Sequence, residues 1–193
     1  MAHFKTLPDD VLTQLQRKVG FSLSRITESL GAVSPALHES VDVWNLPANA
    51  VVEPTNDLTR LAHPSGQWHL QVKSDNTPIA YARSSSLGSE PTDWSVDGIF
   101  QSELAQKFDQ AISWIDENIP EENIIVRLLV IPAYQTHALW LIDESNINNQ
   151  KILVIDAPLE YGFNLPPKID KTQEIEQFLN QLRSVKHAEG LTE

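Results

Sequence analysis

The chain reads as an α+β protein, a largely antiparallel sheet of about five strands packed by helices. Three observations predict this. Between Ile124 and Ile155 three short segments carry apolar residues on both alternating faces. The loops between them are short, which favours antiparallel pairing. Helical stripes with a 3.6-residue period stand before and after them. Ile124, Val126, Leu128 and Val130 point one way, while Ile125, Leu129 and Ile131 point the other. His137–Ile142 and Ile152–Ile155 repeat the pattern. Such a sheet needs cover on two sides, from the chain's own helices or from a partner.

The elements follow in order. Thr6-Leu-Pro-Asp9 resembles a helix start, with Thr6 as cap and Pro8 in the first turn. Val11, Leu12, Leu15 and Val19 form its stripe, ending near Gly20. Phe21, Leu23, Ile26 and Leu30 continue it as an extension or second helix, closed by Gly31. Residues 1–31 are thus a helical N-terminal segment. From 32 to 62 Pro35, Pro47 and Pro54 interrupt every periodicity, which predicts an irregular connection or arm, with a short strand at Val41–Trp44.

Residues 63–188 form the expected α+β core of a single domain spanning 1–193. Trp68, Leu70 and Val72 alternate with Gln67, His69, Gln71 and Lys73, a half-buried strand with His69 on its polar face. Asp75-Asn76 supplies a turn and Ile79–Arg83 returns. Ser84–Asp93 reads as a serine-rich loop. Asp97 or Ser102 then caps a helix whose stripe is Leu104, Phe108, Ala111, Ile112 and Ile115, with Glu103 and Lys107 as an i,i+4 pair. Pro120 ends it. After the three-strand meander, Ile175, Phe178, Leu179, Leu182 and Val185 line the last helix over Thr172–His187.

Composition narrows the function classes. With 193 residues, 41% hydrophobic and 21% charged, the chain is an ordinary globular protein. Zero cysteines exclude disulfides, thiolate metal sites and a cysteine nucleophile. No leader-like hydrophobic run follows the N-terminal Met, and no apolar stretch approaches membrane-spanning length, so a cytoplasmic protein without membrane contact is expected. A net charge of −12 with scattered Lys and Arg argues against nucleic acid as a partner. No cofactor is expected, because the glycine-rich nucleotide loops and the Gly-x-Ser-x-Gly elbow are all missing.

In element order and acidity the chain resembles the small secretion-chaperone architecture, an antiparallel sheet with helices that dimerises and holds a client segment. The resemblance covers about two-thirds of the chain and rests on no sequence motif. It implies a protein partner or self-association.

Candidate site residues are few. Arg127 is the one charge within the strand Ile124–Ile131 and must pair, with Asp143 or Asp156 as partner, or face a ligand carboxylate or phosphate. His137 and Asp156 could form a base and its orienter, with Ser84, Ser85 or Ser86 as nucleophile. Tyr134 lies just before His137. Trp114 falls off the main stripe of its helix and either widens it or marks a contact surface. Asp116, Glu117, Glu121 and Glu122 crowd a helix C-terminus against its dipole, a strain that a divalent cation or a basic partner would relieve. His38-Glu39-Ser40-Val41-Asp42 approaches a metalloprotease helix but has Asp42 where a second His is required. The expected function is a non-catalytic binding, adaptor or chaperone-like protein acting through an apolar sheet or helix face. The alternatives are a small hydrolase or transferase using His137 and Asp156, and an acidic-ligand sensor using Arg127.

Overall fold

The computed structural model describes residues 3–26, 35–55, 57–100, 103–120 and 123–189. In chain order these form β1 (His3–Phe4), α1 (Asp9–Ile26), β2 (Ala36–Asn45), α2 (Ala48–Val51), α3 (Leu58–Leu61), β3 (His63–Ser74) and β4 (Thr77–Ser86). Then come β5 (Trp94–Phe100), α4 (Glu103–Asn118), β6 (Ile124–Ile131), β7 (Thr136–Asp143), β8 (Gln150–Asp156), β9 (Gln173–Glu174) and α5 (Ile175–Glu189). The protein is α+β, but its open sheet has nine strands among the described residues rather than about five.

The sheet runs β5-β4-β3-β2-β6-β7-β8-β9, with β1 pairing β6 as well. It consists of two antiparallel meanders, β2 to β5 and β6 to β9, joined where β2 lies parallel to β6. Getting from the edge strand β5 to the central β6 needs a crossover, and α4 supplies it across one face. Asp75 and Asn76, both at positive φ (48° and 62°), close the β3–β4 hairpin as their turn chemistry predicts.

The structure refines or corrects several expectations along the chain. Ala36–Asn45, inside the span expected to be an irregular connection or arm, is a central strand; the short strand expected at Val41–Trp44 is its second half. Pro35 precedes it rather than breaking it. Of the two readings beyond Gly20, the extension is the one found: the first helix runs on through Phe21 and Leu23; Leu30 and Gly31 lie outside the described residues. Asp97 is not a helix cap but a residue of β5, and Ser84–Ser86 belong to β4 rather than to a loop. The remaining cap candidate, Ser102, is outside the described residues.

Both faces of the sheet are covered by the chain's own helices. On one, Leu104, Phe108, Ala111, Ile112 and Ile115 of α4 pack on Val41, Val43, Val126, Leu128, Leu139 and Leu153. On the other, α1 covers Leu70, Val72, Ala80 and Ala82, while α5 covers Leu129, Trp140, Ile152 and Val154 with Phe178, Leu179 and Leu182. Each fully buried side chain of this size contributes about 1.5–3 kcal/mol.

A buried cation fastens α4 to the sheet. Lys73 of β3 reaches Asp109 of α4 at 2.6 Å and Glu39 of β2 at 3.2 Å with 12% of its side chain exposed. Burial disfavours its charge, but the two carboxylates outweigh that and raise its pKa. Lys73→Ala would leave two acids facing each other across the interface. A loss of about 2 kcal/mol is expected in urea unfolding, with the partial exposure of both acids keeping it below the fully buried case. A loss below about 0.5 kcal/mol would show the bridge to be idle.

Candidate functional site

Polar groups gather on the α4 face near the N-terminal half of that helix. Strand alternation sends His69, Gln71 and Lys73 of β3 to this side. His69 was expected at the surface. It is instead buried, because β3 is the third strand from the β5 edge and α4 covers its polar side. Its ring stacks on Tyr81 at 4.7 Å and meets Phe108 at 4.6 Å. Tyr81 in turn stacks on Phe100 at 5.0 Å, so a file of rings runs from the core to the β5 edge. The Arg83 guanidinium lies 5.6 Å from the Phe100 centroid and 6.0 Å from that of Tyr81. Arg83 is also the cross-strand neighbour of His69. Burial, which outweighs Gln71 beside the ring, pushes the His69 pKa down to about 3; the charges of His137 and Arg83 act in the same direction.

His137 and Asp156 face each other across β7 and β8, as the proposed base and orienter require. Their closest N–O approach is 3.9 Å, beyond hydrogen-bond length. The other oxygen of Asp156 accepts from Lys107 Nζ at 2.6 Å. Burial lowers the His137 pKa, Asp156 partly offsets this, and Arg83 adds to it. The expected serine nucleophile does not join them. Ser84 is buried on the α1 side of β4, in phase with Ala80 and Ala82. Ser85 donates to Asp97 at 2.9 Å and Ser86 to the Gly88 carbonyl at 2.5 Å. The Thr136 hydroxyl donates to the Tyr134 carbonyl.

Arg127 lies on the opposite face, and neither expected aspartate is its partner. Its Nε is 3.7 Å from Asp42 of β2, which also accepts a bond from Trp44 Nε1 at 2.9 Å. The guanidinium sits 4.2 Å over Trp44 and 5.3 Å from Trp140. Asp143 is engaged by Ser145 and Asn149, and Asp156 by Lys107. The pairing with β2 decides the matter, because it brings Asp42 and Trp44 beside β6. Burial lowers the Arg127 pKa and Asp42 opposes that. The charge is thus held between two rings and one carboxylate.

Tyr134 is buried under α5, with its ring 6.4 Å from that of Tyr161. Trp114, half-buried on the outer flank of α4, separates two concavities of about 270 and 260 Å³. The first is lined by Asn118, Ile119, Asn149, Lys151 and Lys171; the second by Asp109, Glu117, Pro167 and Ile169. Asp116 and Glu117 are exposed, and Glu121 and Glu122 lie outside the described residues. Among the described residues no three acidic or histidine side chains are placed to hold a metal ion. The His38–Asp42 run is extended in β2, and its Glu39 is taken by Lys73.

Sequence reading missed His69, Arg83 and Lys107 as members of one cluster. The phase of β3 and β4 was the available signal, since His69, Gln71, Tyr81 and Arg83 alternate onto a single side. Lys107 was read as the partner of Glu103, which stands 3.7 Å away, but its shorter contact is Asp156. The chain matches no protein-family model, curated protein or solved structure.

Proposed function

We propose that this is a non-catalytic binding protein of adaptor or chaperone-like type, which holds a segment of a protein partner at the Trp114 flank of α4. The carrying observation is the half-buried indole between two concavities. A rigid aromatic with one wet edge, flanked by Pro167, Ile119 and Ile169 and rimmed by Asn118 and Lys151, has the make-up of a binding hot spot. Catalysis has less support. The His137 orienter is shared with Lys107, and the expected serines are turned away or engaged elsewhere.

A photo-crosslinking residue in place of Trp114, introduced in the producing cells, tests this reading. One discrete adduct is expected at position 114 and none at Gln106, an exposed position on the same helix. An adduct of twice the chain mass would identify the partner as a second copy. Strict monomers in light scattering together with no adduct at 114 would refute the proposal.

A further inference from the structure

We infer that the partner segment held at the Trp114 flank is acidic, with a carboxylate taken by Lys151 and Lys171 beside an apolar side chain that rests on the indole. The inference rests on the binding proposal above and deepens it, since it names the chemistry of the segment.

The three residues share one concavity. Trp114, Lys151 and Lys171 all line the cavity of about 270 Å³ beside the C-terminal half of α4, where Thr172 adds a hydroxyl and Ile119 and Leu141 an apolar wall. Strand phase puts Lys151 there. Leu153 and Ile155 of β8 face α4, and Lys151 follows the same alternation, opposite Leu141 of β7. Lys151 is half-buried against this wall, so water screens its charge less than that of a free surface lysine.

Neither lysine is neutralised from within. Among the described residues no carboxylate lies within ion-pair distance of Lys151 or Lys171. Glu174, cross-strand from Lys151, lines a separate cavity with Asp57 and Gln150. Asp170 does line the concavity, but it accepts the Asn164 amide at 2.7 Å. Arg83 and Arg183 also lack an acid, yet aromatic rings hold the one and backbone carbonyls the other. Among the described residues Lys151 has neither kind of contact, and it opens on a cavity with a second lysine.

The other side of Trp114 sets the direction. Asp109 and Glu117 line the second concavity, so an acid is repelled there and directed to the Lys151 side. A chain of net charge −12 also repels an acidic segment at long range, which makes a preference for one a property of this concavity alone.

The test titrates the full chain with acetyl-Phe-Glu-Glu-amide, acetyl-Glu-Glu-Phe-amide and their glutamine counterparts, read from the backbone amide resonances of Asn118, Lys151 and Thr172 by NMR. Saturable shifts in the millimolar range are expected with at least one glutamate peptide, at least about fivefold tighter than its glutamine counterpart. Lys151→Gln should remove most of that preference. Lys171→Gln, at an exposed position that guards against a folding defect, should reduce it. Arg17→Gln, exposed on α1 at the opposite face, changes the net charge equally and should leave the preference intact. Acetyl-Glu-Glu-amide, which has no ring to rest on Trp114, should bind at least about fivefold more weakly than the better glutamate peptide. Glutamine peptides that bind as well as glutamate ones, a preference unchanged in both lysine variants, equal binding without the ring, or no saturable shift at tens of millimolar would overturn the inference. The first of these outcomes leaves the Trp114 surface as a binding site for neutral segments, whereas no shift with any peptide and no adduct at position 114 together remove both.

Discussion

Trp140→Ala is expected to cost about 4 kcal/mol of folding stability, among the largest losses any single core truncation gives. The residue is fully buried at the centre of β7, beneath α5. Three interactions end with it. The indole Nε1 donates to Gln150 Oε1 at 3.1 Å in a buried setting, and that oxygen would be left unsatisfied at about 1–3 kcal/mol. Its ring meets Trp44 edge-on at 5.6 Å. It is also one of the two rings that hold the Arg127 guanidinium. The remaining loss is the cavity. Urea unfolding should show a lower midpoint at an unchanged slope, since no surface is exposed in the native state. Trp140→Phe, which keeps most of the packing and drops the hydrogen bond, should lose roughly half as much. A cost below about 1.5 kcal/mol for alanine would mean that Trp44 and Arg127 close the space, and that the central strands are not rigidly ordered.

Sequence alone exposed the strands that are apolar throughout and hid those that are mixed. β6, β7 and β8 were legible because every side chain falls on a covered face, and α4 and α5 because their stripes keep a helical period. β2 was not. Its outer half carries His38, Glu39 and Asp42, residues that look like loop until Lys73 and Arg127 are seen to pair with them. β5 was obscured by Asp97 and Gly98, which form a bulge opposite Arg83 and Ser84 and break the alternation. The site suffered the same way. Arg127 was noticed because it interrupts an apolar run, yet an interruption reveals a charge and not its partner. Arg83 drew no attention because it follows Ala82 in a short polar-looking stretch, and the rings it lies over are contributed by β4 and β5. The two-sided apolar sheet suggested a docking face, and α1, α4 and α5 take up that demand internally.

Acidification from pH 7 to 5 should destabilise the protein by about 2 kcal/mol through His69 alone. The ring is held neutral in the fold, with a pKa of about 3, whereas an unfolded histidine titrates near 6.5. Between those values the unfolded chain binds more protons than the native one, so stability is complete above pH 6.5 and falls toward pH 3. His137, also lowered by burial, adds loss of the same sign. The groups facing His69 leave no acid to rescue its charge: Tyr81 and Phe108 stack on it, Gln71 and Val41 flank it, and Arg83 and His137 oppose protonation. His69→Phe fits between the same two rings and cannot titrate. Its stability should therefore fall about 2 kcal/mol less over this interval, measured by urea unfolding at each pH. The sign is diagnostic. A chain of net charge −12 with pI near 4.8 sheds self-repulsion as pH drops toward 5, which by itself would stabilise the fold. Parallel pH profiles for wild type and variant, or a His69 resonance titrating near 6.5, would place that ring in solvent and undo the packing of α4 over β3.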